Sequence, residues 1–285
     1  MIRVNTGFMS PNIIITTIIT NIEVKEMIMM LSGTSDARQL ALAIRDAGYD
    51  VFATVVTEHA AEQMAYVGLH AHVGRLTASE MVQLIQQYAV TAVVDASHPF
   101  AEEASRQAIQ AAEKANVPYI RYERKESIIT YEHVMFVDSY EDAAEYAAEK
   151  KGVIMLTTGS KTLHIFAEKL LPLPGVRLIA RMLPRKDNME KCEQLRFPQE
   201  NIIAMQGPFT KQLDIAFMKH FGVTLLVTKE SGRVGFVDEK IAAAQELGIE
   251  TVVIRRPRLS YPVIYHEFSD VIEALARESK KKEEK

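Results

Sequence analysis

The stretch Met27–Gly48, MIMMLSGTSDARQLALAIRDAG, decides the fold. Met27 to Leu31 is an apolar run of strand length that stops at Ser32-Gly33-Thr34-Ser35-Asp36. Ala37 to Ala47 then carries Leu40, Ala43, Ile44 and Ala47 at helical spacing. The reading is strand, tight turn, helix, with Ser35 or Asp36 as N-cap and Gly48 as the stop. Such a turn aims free backbone N–H groups and the positive end of a helix dipole at one point. Gly33, Thr34, Ser35 and Asp36 are therefore candidates for holding an anionic group, nucleotide phosphate first. The turn holds a single glycine, so the fingerprint G-x-G-x-x-G is not met, and an unliganded βα turn explains these letters equally well.

The same alternation continues in both directions along the chain. Strand-like runs at 50–57, 69–73, 91–94 and 118–121 alternate with helical patterns, one opened by the capping pair Thr77-x-x-Glu80 and one over 102–116 with Pro99 in its first turn. After an irregular stretch at 128–138 a second series begins with a helix at 140–151. Strands are expected at 152–156, 176–180, 201–204, 223–227 and 250–254, with helices at 163–171, 211–221 and 239–247. This pattern predicts an α/β fold of two Rossmann-like domains with mainly parallel sheets and an interdomain cleft. The expected division is an extension outside the fold at 1–26, a first domain at 27–137, a second at 138–270, and a helical end with a charged tail at 271–285. Right-handed crossovers put the turns GTSDA, SHPFA, TTGSKT, QGPFT and KESG at carboxyl ends of strands, where open α/β sheets bind ligands.

Composition narrows the chemistry. A net charge of -4 on 285 residues gives no reason to expect nucleic acid or an anionic membrane as partner. No apolar run approaches the ~20 residues of a membrane span, and a cytoplasmic location is expected. Cys192 alone excludes an internal disulfide framework, and the scattered histidines match no metal motif, so no metal is expected. Walker and G-x-S-x-G patterns are absent as well. Thr57, with Glu58 beyond it, stands where an acidic residue would bind the ribose of NAD, so recognition of that kind is unsupported. Ser97 and His98 sit at one carboxyl edge, and Thr158, Gly159, Ser160 and Lys161 form a second polar nest. Lys161, Arg181, Lys211 and Lys229 are rim cations suited to a polyanionic ligand. The protein would bind and orient while a cofactor supplies the harder chemistry.

Taken together and in order over residues 27 to 257, GTSDARQLA, DASHPFAEEASRQA, PYIRYER, LTTGSK, RMLP, QGPF, TKESG and VVIRRP resemble the precorrin-6A reductase family of cobalamin biosynthesis. The resemblance implies two Rossmann-like domains and NADPH-dependent reduction of one carbon–carbon double bond in a tetrapyrrole macrocycle held between them. VVTEHAAE and HVGRLTASEM are similar to the branch acting on the cobalt-containing substrate. It further implies that Ser97 and His98 line the reacting face, with His98 first among the proton donors and water or a substrate carboxyl as alternatives. Gly33, Thr34, Ser35 and Asp36, or Thr158, Gly159, Ser160 and Lys161, would hold the cofactor. Arg181, Gln206, Gly207, Pro208, Phe209, Lys229, Ser231 and Gly232 would take the substrate. Read without the resemblance, a non-catalytic nucleotide- or tetrapyrrole-binding protein and an S-adenosylmethionine-dependent methyltransferase both stay open.

Overall fold

Parallel strands covered on both faces read as unbroken apolar runs, because successive side chains enter two different cores. The computed structural model describes residues 25–125, 131–230 and 237–283 and shows this arrangement at β1 (Met27–Leu31). Ile28 and Met30 pack with Leu40 and Ile44 on one face, while Met29 and Leu31 pack with Met81 and Ala108 on the other.

The first series comprises β1, α1 (Ser35–Asp46), β2 (Asp50–Val55), α2 (Glu58–Tyr66), β3 (His70–Val73), α3 (Ala78–Gln87), β4 (Val90–Asp95), α4 (Glu102–Ala115) and β5 (Tyr119–Tyr122). The second comprises β6 (Val134–Val137), α5 (Tyr140–Lys150), β7 (Gly152–Leu156), α6 (Leu163–Leu170), β8 (Val176–Met182) and α7 (Lys186–Gln194). It continues with β9 (Ile202–Ala204), α8 (Lys211–Phe221), β10 (Leu225–Lys229), α9 (Val237–Glu246) and β11 (Glu250–Ile254). The chain ends in β12 (Ile264–Tyr265) and α10 (Phe268–Glu283). The sheets are six-stranded, ordered β12-β5-β4-β1-β2-β3 and β6-β11-β10-β7-β8-β9, and every pairing is parallel. The expected α/β fold with two parallel sheets is what forms. In each sheet the winding direction reverses beside the first strand of the βα series, between β1 and β4 and between β7 and β10. A crevice opens there at the carboxyl ends.

Strand pairing divides the chain differently from the expected boundaries. β6 pairs with β11 and belongs to the second sheet although it precedes residue 138. β12 returns to pair with β5 in the first sheet, and α10 packs there through Val271 and Leu275. The N-cap of α1 is Thr34 rather than Ser35 or Asp36: it is extended, and its hydroxyl accepts the Ala37 N–H at 3.2 Å. Pro99 is not in the first turn of α4, which starts at Glu102; it lies in a separate turn closed by the Ala101 N–H on the His98 carbonyl. The capping box of Thr77 and Glu80 forms as read. No described helix is long and apolar enough to cross a membrane.

Candidate active site

The turns after β1, β2, β7, β8 and β9 and the end of β10 are scattered in sequence but share the carboxyl edges that face each other across the molecule. They enclose a cleft of about 1520 Å³. That is larger than the roughly 300–1,000 Å³ of an ordinary small-molecule site. Gly33, Thr34 and Ser35 line one wall; Thr158, Gly159, Arg181, Lys229 and the run Gln206, Gly207, Pro208 and Phe209 line the other. An adjoining pocket of about 370 Å³ opens at the ends of β1, β2, β3 and β4, lined by Ser97 and His98, with Lys161 reaching in from the second series.

The β4 corner is rigid because a buried ion pair stands behind it. Asp95 accepts the Ser97 N–H at 2.9 Å and Tyr119 Oη–H at 2.7 Å. Arg121 Nη1 donates to Asp95 Oδ1 at 2.9 Å and to Ser97 Oγ at 3.2 Å. Burial opposes charge on Asp95, but the Arg121 guanidinium and hydrogen bonds from Ser105 and Ser97 outweigh it and hold its carboxyl below the usual range. Arg121 also reaches Glu123, whose other oxygen takes Arg256 Nη1 at 3.1 Å from the end of the second series. The two halves are therefore joined by alternating charges. Phe100 adds an apolar contact, packing against the second core beside Tyr140.

His98 is held neutral. Burial, followed by the positive charges of Lys229, Arg124, Arg121 and Arg256, pushes its pKa down to about 3. Its Nδ1 accepts the Phe100 N–H at 3.2 Å, which leaves the proton of the neutral ring on Nε2. The role expected for His98 is proton donor; beside these cations its imidazolium form is disfavoured, and the neutral ring presents its Nε2–H.

The second wall is cationic but partly self-paired. β8 runs on to Met182, so Arg181 lies in the strand, buried and ion-paired with Asp214 of α8, instead of standing free on a turn. Its guanidinium carbon lies 3.9 Å from the Phe209 ring centroid. Lys229 Nζ sits 5.2 Å from the Phe100 centroid, and burial with the nearby Lys161 charge brings its pKa down to about 8. Lys240 on α9 also lines the cleft, and burial with the Arg181 charge lowers it to about 8.

Some expected site residues turn elsewhere. Asp36 is tied to Arg124 at 3.0 Å, and Ser160 is hydrogen-bonded to Asn188. Lys211 pairs with Glu246 at 2.8 Å. Ser231 and Gly232 lie outside the described residues. Several lining residues carried no recognisable signal. Arg38, hydrogen-bonded to Gln63, belongs to a wall that requires α2. Lys240 sits among ordinary helix letters. Val56, Leu183 and Met205 leave apolar surface exposed inside the cleft.

Fold and site together define a doubly wound α/β protein whose two sheets share one cleft, with helix N-termini on one side and cations on the other. The sequence signature described as Precorrin-6x reductase CbiJ/CobK matches residues 27–277, and the chain belongs to that family of reductases. The cobalt-precorrin-6A reductase of Priestia megaterium is 58% identical over 254 residues, covering 89% of this chain and 100% of that one. The precorrin-6A reductase of Rhodococcus erythropolis is 30% identical over 250 residues, covering 87% and 96%. Among solved structures, a CobK precorrin-6A reductase superposes with a TM-score of 0.73 at 22% identity, covering 89% of this chain and 97% of its own, which supports the fold.

Proposed function

We propose that this chain reduces one carbon–carbon double bond of a cobalt-precorrin-6A-type macrocycle with NADPH. The observation that carries the reading is the convergence of corners from both sheets on a cleft of about 1520 Å³ with cations on one wall. A flat tetrapyrrole bearing several carboxylates matches such a space: its edges meet Lys229 and Lys240, with Lys161 in the adjoining pocket, and its faces meet Val56, Leu183 and Met205. The 58% identity to a cobalt-precorrin-6A reductase favours the cobalt form of the substrate. A cytoplasmic enzyme with no nucleic-acid partner is part of the same reading.

The first series suits a dinucleotide. The backbone after β1 turns at Gly33 with φ +144°, which favours glycine, and α1 presents its N-terminus to the cleft beside it. Ser32 Oγ is buried with no partner among the described residues, as a hydroxyl awaiting a ligand would be. Thr57 stands at the end of β2 in place of an acid, and the exposed Arg75 lines the same pocket, which favours a 2′-phosphate over a bare ribose. When bound there, the nicotinamide supplies the hydride. The chain's own part is orientation: the Ser97–His98 corner, braced by Asp95 and Arg121, closes the side on which both reactants meet, and the lysines fix the macrocycle edge.

Titration of the purified protein with NADPH, NADH and S-adenosylmethionine, followed by NADPH oxidation on adding cobalt-precorrin-6A, tests the reading. NADPH should bind in preference to NADH and be consumed only when the macrocycle is present. Binding of S-adenosylmethionine without NADPH would sink it.

A further inference from the structure

Reducing an alkene with hydride leaves a proton to be found, and burial with the cations around His98 disfavours its charged form. We propose that Lys229 is the proton donor of the reaction, delivering a proton from its ammonium group to the ring carbon next to the one that receives hydride. The proposal rests on the reductase reading above and deepens it.

The geometry singles out this side chain. Lys229 is the last residue of β10, at the winding reversal of the second sheet. It points across the cleft to the corner of the first sheet, where its Nζ lies 5.2 Å from the Phe100 centroid; Phe100 in turn lies 5.8 Å from the His98 ring. It thus stands between the Ser97–His98 corner and the cationic wall. The other cations differ in their commitments. Arg181 is paired with Asp214, Arg121 with Asp95 and Glu123, and Arg124 with Asp36. Among the described residues no carboxylate lies in ion-pair range of Lys229.

The groups that face it from neighbouring elements are Lys161 on the turn after β7, Lys240 on α9 and neutral His98 on the turn after β4. Burial first, and then the nearby Lys161 charge, make the ammonium a stronger acid than a solvated lysine. Its pKa of about 8 keeps it mostly protonated at neutral pH while easing the transfer. The step balances. The π bond breaks; hydride from the nicotinamide forms one C–H bond and the ammonium proton forms the other. Lys229 is left as a neutral amine and is reprotonated from cleft water.

A plain carboxylate clamp is the competing role, and Lys229→Arg separates the two because arginine keeps the charge at every accessible pH but does not give up a proton. In the wild type, kcat with NADPH and cobalt-precorrin-6A should fall on an alkaline limb near pH 8. Labelling of Lys229 by acetic anhydride, read by mass spectrometry without substrate, should titrate at the same pH. Lys229→Arg should lose at least about 100-fold in kcat, with KM changed less than about five-fold, NADPH affinity retained and the limb gone. Turnover of Lys229→Arg within three-fold of wild type, or a wild-type profile flat through pH 9.5, overturns the role. Because the wild-type profile and labelling need no variant, a misfolded Lys229→Arg does not shelter the idea. A wild type that binds no NADPH and reduces neither the cobalt nor the metal-free macrocycle overturns the reductase reading itself, and the donor role falls with it.

Discussion

Arg121 and Asp95 form an ion pair at 2.9 Å with both side chains 0% exposed. Charges are rarely taken so far from water, and the pair survives because further bonds fill its remaining valences: Ser97 and Tyr119 on the carboxylate, Glu123 on the guanidinium. Removing one partner leaves the other buried and charged. Arg121→Met should cost about 3–5 kcal/mol in urea denaturation, and Asp95→Leu a similar amount. The double variant should recover part of the sum, since neither charge is then stranded. Additive losses would show that the pair is not coupled.

Acid should weaken the fold through His98. Its pKa is about 3 when folded and near 6.5 when unfolded, so between those values the unfolded chain binds the extra proton. Stability therefore falls as pH drops from 6.5 toward 3, by at most about 1.4 kcal/mol per unit from this group. Lys229 and Lys240, near 8 folded against 10.5 unfolded, act in the same direction at the other end: stability from them rises between pH 8 and 10.5. Thermal melts of wild type and His98→Asn should diverge only below pH 6.5.

The β1 turn can be tested at two adjacent atoms. Thr34→Ala removes the hydroxyl that caps α1 and should cost about 1 kcal/mol of stability. Gly33→Ala meets no atom within 4 Å, so its cost is conformational, from φ +144° alone. Both should weaken NADPH binding measured by fluorescence titration, because both disturb the N–H groups at the head of α1. Unchanged affinity in both would move the pyrophosphate to the turn after β7.

Much of this arrangement was legible because local chemistry repeats. Apolar runs such as Met27–Leu31, the capping pair Thr77 and Glu80, and polar corners after each strand carry their own physical reasons. What escaped was either weakly patterned or long-range. In α2 only Met64 is buried, and in α7 only Asn188 and Cys192 are, so no apolar stripe announces either helix. β12 is two residues long and gains meaning only by pairing with β5. The fate of Arg181 depends on Asp214, 33 residues away, and no spacing rule links them. The neutrality of His98 likewise comes from burial and from cations gathered out of three separate segments.

Lys161 belongs to the second series by sequence yet lines the pocket at the ends of the first sheet. A cation in that position can hold the cofactor's phosphate or a carboxylate of the macrocycle, and the two differ in what Lys161→Ala does. Loss of a charge-assisted contact should weaken one ligand by about 1–3 kcal/mol and leave the other unchanged. The residue bridges the halves and stands within electrostatic reach of Lys229. Removing it should therefore also raise the Lys229 pKa, shifting the alkaline limb of kcat upward from about 8. Titrating Lys161→Ala with NADPH alone, then with macrocycle in the presence of NADP, identifies the ligand, and the pH profile checks the coupling. Wild-type affinities for both ligands together with an unmoved limb would remove Lys161 from the site.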